Sequence, residues 1–156
     1  MFSLELHDEE LRAMVDRLET GLSDMSEVTN EIGEFLAESH QQRIEKSLGA
    51  PDGTAWAAKS PFTKSKDPRP LYDTGDMVRR IHHVYGPDFV SVAVSGVKVR
   101  TLHFGAAKGA FGQTTTGQPI PFGDIPARPF MGLSQTDQSN IADALTEWIE
   151  RLAAGS

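Results

Sequence analysis

The sequence has no cysteine, which excludes disulfide bonds, thiol catalysis and zinc sites built from cysteine. It also lacks any apolar run near the ~20 residues that a helix needs to cross a bilayer, so we expect no membrane span. Its first residues turn acidic at once and contain no basic region followed by an apolar one. We therefore expect a cytoplasmic product rather than a secreted one. A chain of 156 residues can bury the core of one domain without covalent cross-links.

Charge is distributed unevenly along the chain. Residues 1–50 carry 12 acidic and 4 basic side chains, residues 51–134 carry 6 and 10, and residues 135–156 carry 4 and 1. The two ends are therefore negative and the middle is positive, within a net charge of −7. Complementary regions of this kind can steer one subunit onto another. A solvated surface without such a role is the simpler interpretation.

Apolar residues at helical spacing predict two N-terminal helices, over about 8–20 and about 26–48. Gly21 is expected to end or bend the first helix. His40 falls in the apolar row of the second helix. At such a position we expect a hydrogen-bonded core or interface histidine rather than a metal ligand.

The middle of the chain changes to the alternating pattern of strands. Residues 81–85 and 89–94 flank Gly86-Pro87-Asp88, which predicts an antiparallel hairpin. Residues 97–104 fit either a third strand or a short helix, and the pattern does not decide between them. Residues 105–124 contain five glycines and two prolines, which predicts a long, weakly structured loop.

An amphipathic helix should close the chain after Ser134, where Asp137 occupies the fourth position of a capping box. We see no internal repeat and no second domain. The sequence therefore predicts one α+β domain over residues 1–156. Its parts are N-terminal helices, a small antiparallel sheet, a long Gly-rich loop and the C-terminal amphipathic helix.

Asp73-Thr74-Gly75 is the triplet with which aspartic proteases present a carboxylate. Those enzymes share one proton between two aspartates, whereas this chain has a single copy that follows a loop. A helix start explains the residues as well, because Thr74 can cap and Asp76 suits the positive end of the helix dipole. We therefore expect no enzymatic activity and assign no catalytic residue.

Other candidate sites are weaker. His82 and His83 are neighbours on a predicted strand and should point to opposite faces, so with His103 they predict no metal site. The glycines after Gly105 lack the spacing of a phosphate-binding loop, so we expect no cofactor. A cluster of basic residues gives some support to nucleic-acid binding without a recognisable motif. It consists of Lys59, Lys64, Lys66, Arg69, Arg79 and Arg80.

Residues 125–134 read Ile-Pro-Ala-Arg-Pro-Phe-Met-Gly-Leu-Ser and stand directly before the last predicted helix. This IPARPF segment resembles the signature of the Mu-like phage virion morphogenesis (tail completion) family. Three upstream features occur in the family's order: Asp52-Gly53 with Trp56, Leu71 with Thr74-Gly75, and Leu102-His103 with Gly105.

The resemblance covers about residues 43–152. It departs from the family at residues 99–104, where members usually show an aromatic-Ala-x-Ile-His-Gln run. Only His103 and the aliphatic residue before it match that run. The departure leaves any shared role of the glutamine in doubt.

The resemblance implies a structural protein that completes or terminates the tail and supports its joining to the filled head. Related tail-terminator and connector proteins form rings, often of six subunits. The implied partners are other phage tail and neck proteins and further copies of the chain, without a membrane. The implied location is the host cytoplasm during assembly and then the virion. The alternative is a DNA-contacting head-completion or connector protein, which would bind duplex DNA with a steep salt dependence.

Six residues are assigned to an assembly interface: Arg128, Phe130, His103, Gly105, Lys108 and Phe111. Arg128 can hold acidic groups of its own chain or those of an adjacent copy, and we favour the adjacent copy. Replacing Arg128 with alanine should then change stability by no more than about 1 kcal/mol. Phe130 is expected in the core, near the stripe formed by Ile141, Leu145 and Trp148.

Overall fold

The computed structural model describes residues 8–155. This part of the chain forms five helices and a two-stranded sheet, which confirms the α+β class. In chain order the elements are α1 (Glu9–Ser23), α2 (Ser26–Glu45), α3 (Asp76–Arg79), β1 (Ile81–Tyr85), β2 (Val90–Val94), α4 (Val99–Phe104) and α5 (Gln135–Ala154). Among these helices, none is long and apolar enough to cross a membrane.

Helix α1 packs on α5 and does not end at Gly21 as expected, but continues to Ser23. A Cβ atom on Gly21 would collide with the side chain of Leu152. One turn earlier, Arg17 donates hydrogen bonds to the carbonyl groups of Leu152 and Ala153, at 3.3 and 2.9 Å. A cation at this end of α5 offsets the negative end of the helix dipole. Gly21 therefore permits the close approach of two helices.

Helix α2 is the central element of the fold, with the sheet packed on one part of its surface and α5 on another. It begins at Ser26 as expected but ends at Glu45, so the predicted last turn is absent and Leu48 is exposed. Its buried residues recur at helical spacing from Val28 to Ile44. Because both strands of the sheet and α5 pack on α2, the core is arranged around this helix.

The sheet is the predicted hairpin, with the second strand beginning at Val90. Ile81 pairs with Val94 and Tyr85 with Val90, and Gly86 donates a backbone hydrogen bond to Phe89 across the turn. The alternating valines of β2 pack towards the core. Residues 97–104, for which the sequence allowed a strand or a helix, contain the short helix α4.

The core consists of two clusters of buried residues. The first lies by the C-terminal half of α2 and contains Ala37, Ile44, Leu71, Val78, Ile81 and Phe130. The second lies by the N-terminal half of α2 and contains Val28, Ile32, Leu36 and Trp148, with Ile141 and Leu145 packed against it.

Phe130 is fully buried, as expected, but its predicted neighbours were wrong: it belongs to the first cluster and the α5 stripe to the second. The direction of α5 explains the difference. Asp137 contacts Ser39 and Arg43, whereas Trp148 packs against Val28, so α5 runs antiparallel to α2. The stripe of α5 therefore leads away from the place where the IPARPF segment delivers Phe130.

Truncation of Phe130 should test this part of the core. Phe130→Ala removes a completely buried ring and should lower the free energy of unfolding by about 3–5 kcal/mol. Phe62→Ala is the matched control, because that ring is 93% exposed and its loss should be nearly neutral. Chemical denaturation of both variants measures the difference. Equal stabilities of the two variants would contradict the placement of Phe130.

Candidate functional site

A buried ion pair holds the IPARPF segment against α2. The Arg43 guanidinium lies 3.0 Å from the Asp137 carboxylate, and both side chains are about 95% buried. The other Arg43 terminal nitrogen donates to the backbone carbonyls of Phe130 and Gly132, at 2.9 and 3.2 Å. One side chain thus fixes the end of the segment and the start of α5 at once.

The carboxylate of Asp137 is satisfied on both oxygens. It accepts hydrogen bonds from the hydroxyl of Ser39 at 2.6 Å and from the amide and hydroxyl of Ser134 at 2.8 and 2.7 Å. Burial alone would raise the pKa of Asp137, but these hydrogen bonds and the Arg43 charge outweigh burial and lower it. Ser134 in turn caps α5 by accepting from the Asp137 amide, so the predicted capping box is confirmed.

His40 completes the attachment of the segment. Its Nδ1 lies 2.6 Å from the Leu36 carbonyl, and its Nε2 lies 3.2 Å from the amide nitrogen of Gly132. Since a carbonyl can only accept and an amide can only donate, this geometry places the proton on Nδ1. Burial and the nearby Arg43 charge lower the pKa of His40, against the opposing effect of its hydrogen bonds. The expected hydrogen-bonded core histidine is confirmed.

Arg128 is also used inside the chain. It is only 5% exposed, and its Nε and Nη2 each donate, at 2.7 Å, to the carbonyls of Ala57 and Ala58. Burial lowers the pKa of its guanidinium. The side chain of Arg128 is therefore bound to its own chain and not exposed to an adjacent copy, as had been favoured, while the effect of its replacement on stability stays a prediction. Two successive backbone carbonyls accept the two guanidinium donors, a contact that sequence spacing does not reveal.

The loop that Arg128 binds has a second attachment to the segment. The indole nitrogen of Trp56 donates to the Pro129 carbonyl at 2.8 Å. Hydrogen bonds therefore run in both directions between residues 56–58 and residues 128–129. Two of the three upstream features of the resemblance, Trp56 and His103, lie directly against the IPARPF segment.

His103 and Gly105 form the other side of this site. The ring of His103 packs edge-on against Phe130, and its Nδ1 accepts a 3.4 Å hydrogen bond from the Phe130 amide. Burial lowers the pKa of His103. Gly105 has a φ of +75°, and a Cβ there would lie 2.6 Å from the carbonyl oxygen of Ile125. Only glycine fits this close approach.

Residues 105–124, which we call the arm, contain no helix or strand, and backbone hydrogen bonds give this loop a defined course. Ala106 and Ile125 form an antiparallel bridge at its base. Further backbone hydrogen bonds join opposite sides of the arm, from Phe111 to Ile120, from Ile120 to Gly112 and from Thr114 to Gln118. Glycines with positive φ provide the turns, which is why a glycine-rich sequence here has a defined course.

The six residues assigned to an interface thus separate into two groups. Arg128 and Phe130 are buried and serve the fold, while His103 and Gly105 hold the base of the arm. Lys108 and Phe111 lie exposed on the arm itself. The contact of any of the six with a partner stays a prediction.

Most of the basic cluster is occupied within the chain. Lys59 donates to Ser65 and to the carbonyls of Asp67 and Tyr72. Arg69 pairs with Asp67, whose pKa it lowers to about 2, and stacks on the Tyr72 ring. The guanidinium groups of Arg79 and Arg80 bind the Thr74 carbonyl and the Asp76 carboxylate, respectively. These contacts favour a structural use of the cluster.

The remaining motifs have local partners. Asp73 is exposed, and the Asp76 amide lies 3.4 Å from the Thr74 hydroxyl at the start of α3. His82 bonds the Arg80 carbonyl and His83 bonds Asn30, in opposite directions from β1. Within residues 8–155, no group of three histidine or acidic side chains is placed to hold a metal ion.

Sequence reasoning missed the role of Arg43, which is central to the site. A signal was present: Arg43 occupies the apolar face of α2, three residues after His40 and next to Ile44. A charged residue in such a row requires a buried partner. Asp137 in the first turn of α5 is that partner, but no local pattern in the sequence links two residues that are 94 positions apart.

Removal of the Asp137 charge should expose the energetic role of the pair. Asp137→Asn leaves the Arg43 charge buried without its counter-ion and should lower the free energy of unfolding by about 3–5 kcal/mol. Asp143→Asn makes the same change at an exposed position of the same helix and should be nearly neutral. Urea denaturation of the two variants provides the comparison, and similar midpoints would show that the pair contributes little.

Arg128→Ala should release the loop around residues 57–66. The substitution leaves two backbone carbonyls without their donor, so we expect a lower melting temperature and faster tryptic cleavage after Lys64 and Lys66. Arg100→Ala, at an exposed arginine, is the control. Limited proteolysis with mass spectrometry measures the cleavage rates. An unchanged rate at both lysines would show that Arg128 does not hold the loop.

Comparison with known proteins agrees with the signature in the IPARPF segment. The sequence matches the profile of the phage virion morphogenesis family over residues 6–150, which is nearly the whole chain. No curated protein and no solved structure gives a significant match. The matched region includes α1, α2, the hairpin, the arm and α5 as far as Glu150, together with the buried network that joins them. The chain belongs to the phage virion morphogenesis family.

Proposed function

We propose that this protein completes or terminates the phage tail and supports the joining of tails to filled heads. Membership of the virion morphogenesis family carries the proposal. The geometry supports it, because the buried polar groups of the site hold chain segments together and leave the arm projecting with exposed apolar residues. A rigid base with such an arm suits binding to other proteins.

We propose a structural rather than a catalytic role. The strongest catalytic motif, Asp73-Thr74-Gly75, stands at the start of α3, where Gly75 and not Thr74 is the N-cap and no side chain caps the helix. The side chains with pKa values lowered in the buried network, His40 and Asp137, have hydrogen-bond partners on every side. Perturbed groups of this kind belong to structural networks as well as to active sites, and here their partners are backbone groups and capping residues.

The proposed partners are other tail and neck proteins and further copies of the chain. Assembly takes place in the host cytoplasm, and the protein then belongs to the tail or neck of the particle. The DNA-contacting alternative has less support, because contacts within the chain already occupy Lys59, Arg69, Arg79 and Arg80.

Deletion of the gene tests the proposed step in assembly. The mutant lysate should contain DNA-filled heads and separate tails that do not join, and electron microscopy counts the two classes. A plasmid copy of the gene is the control and should restore joined particles. Normal infectious particles without the gene would overturn the proposal, and heads that lose their DNA would favour the head-completion alternative.

A further inference from the structure

Helix α1 carries an apolar stripe that residues 8–155 leave open. Leu11, Val15 and Leu22 recur at spacings of four and seven, which places them on one side of the helix. They are 47%, 50% and 53% exposed. The neighbouring side of α1 packs on α5 through Gly21 and Arg17. We call these three residues the α1 stripe.

A cleft of matching character lies between α4 and the arm. It has a volume of about 440 Å³ and is lined mainly by apolar side chains: Val97, Leu102, Phe111, Ile120, Pro121 and Ile125. Val97 is 100% exposed and Phe111 is 57% exposed. None of the lining residues belongs to α1. We call this feature the arm cleft.

The two features carry opposite charges. Residues 8–24, which include α1, contain 6 acidic and 2 basic side chains, and Arg17 is already bound to α5. Residues 96–124, which form most of the cleft and the arm, contain 3 basic and 1 acidic. Lys98 lines the cleft directly, and Glu19 lies beside the α1 stripe, four residues after Val15.

We propose that the α1 stripe of one copy of this chain binds in the arm cleft of the next copy. This proposal rests on the structural role proposed above and names the partner of the arm. An amphipathic helix in an apolar groove, anchored by residues one turn apart, is a common mode of recognition. Charge favours this pairing over the two alternatives. Two arm clefts that faced each other would repel through their basic residues, and two α1 stripes would repel through their acidic residues.

Such a contact joins two different surfaces of the same chain. Each subunit then offers one free surface of each kind, so association gives a closed ring if the rotation between neighbours closes and an open filament if it does not. One type of contact is therefore enough to join more than two subunits. It also gives the two features separate tasks, since the arm cleft of one copy receives the α1 stripe of the next.

Two double variants, each lacking one surface, test the pairing. Leu11→Ser with Val15→Ser removes the α1 stripe, and Val97→Ser with Phe111→Ser removes the arm cleft. Light scattering after size exclusion should show an oligomer for the unaltered protein and a single subunit for each variant alone. An equimolar mixture should give a dimer and nothing larger, because each variant keeps one working surface. Phe62→Ser, at an exposed ring elsewhere, should leave the oligomer intact.

Charge-reversal variants provide a second test, because exposed charges can be changed with less effect on folding than apolar residues. Glu19→Lys should weaken association at least about tenfold, and Lys98→Glu in the partner should restore it. Glu147→Lys, at an exposed carboxylate of α5, is the matched control. Circular dichroism confirms that each variant is folded.

Three results would overturn the proposal: an unaltered protein that stays a single subunit, surface variants that still form the oligomer, or a mixture that gives no dimer. The deletion phenotype is independent of these results, because unjoined heads and tails would still support the proposed function if the subunit proved monomeric. A joined, infectious particle in the deletion would refute the function even if the purified chain formed rings.

Discussion

The buried ion pair of Arg43 and Asp137 is the interaction on which the rest of the structure depends. Removing two charges from water costs several kcal/mol per ion, and their attraction offsets this only when the remaining donors and acceptors are also used. Here Arg43 donates to two backbone carbonyls, and Asp137 accepts from Ser39 and Ser134. The pair therefore holds α2, the IPARPF segment and α5 in a single arrangement.

This arrangement changes the interpretation of the family signature. The IPARPF segment is the most specific part of the sequence, which suggested a surface for partners. In the structure its arginine and phenylalanine point inward, to Ala57 and Ala58 and to the first core cluster. The segment therefore stabilises the fold by linking α2, residues 57–58 and the first core cluster. The exposed apolar side chains suited to binding lie on the arm before it and on α1.

Local features of the fold could be predicted from the sequence, and non-local ones could not. The capping box at Ser134, the hairpin at Gly86 and the character of His40 depend on residues within about one turn or on a simple periodicity. Helix boundaries were predicted less accurately: α2 ends at Glu45, about one turn before its predicted end. The destination of Phe130 depended on the direction of α5, and the partners of Arg128 lie about 70 positions away.

The arm shows a further limit of sequence reasoning. Five glycines and two prolines within 20 residues predict a long, weakly structured loop, because composition alone does not reveal where each turn falls. The structure uses several of these glycines at positive φ and pairs the chain between them. Gly105 in particular is fixed by the carbonyl of Ile125, a contact that joins the arm to the IPARPF segment.

The position of the ion pair along the chain has a consequence for synthesis on the ribosome. Asp137 follows Arg43 by 94 residues, so at roughly 5–20 residues per second the arginine waits about 5–20 s for its counter-ion. During this interval α2 has a charged residue on the face that must be buried, which disfavours early collapse around it. A chain that stops before α5 keeps that defect permanently. Chains that end before α5 should therefore fold less stably than whole chains.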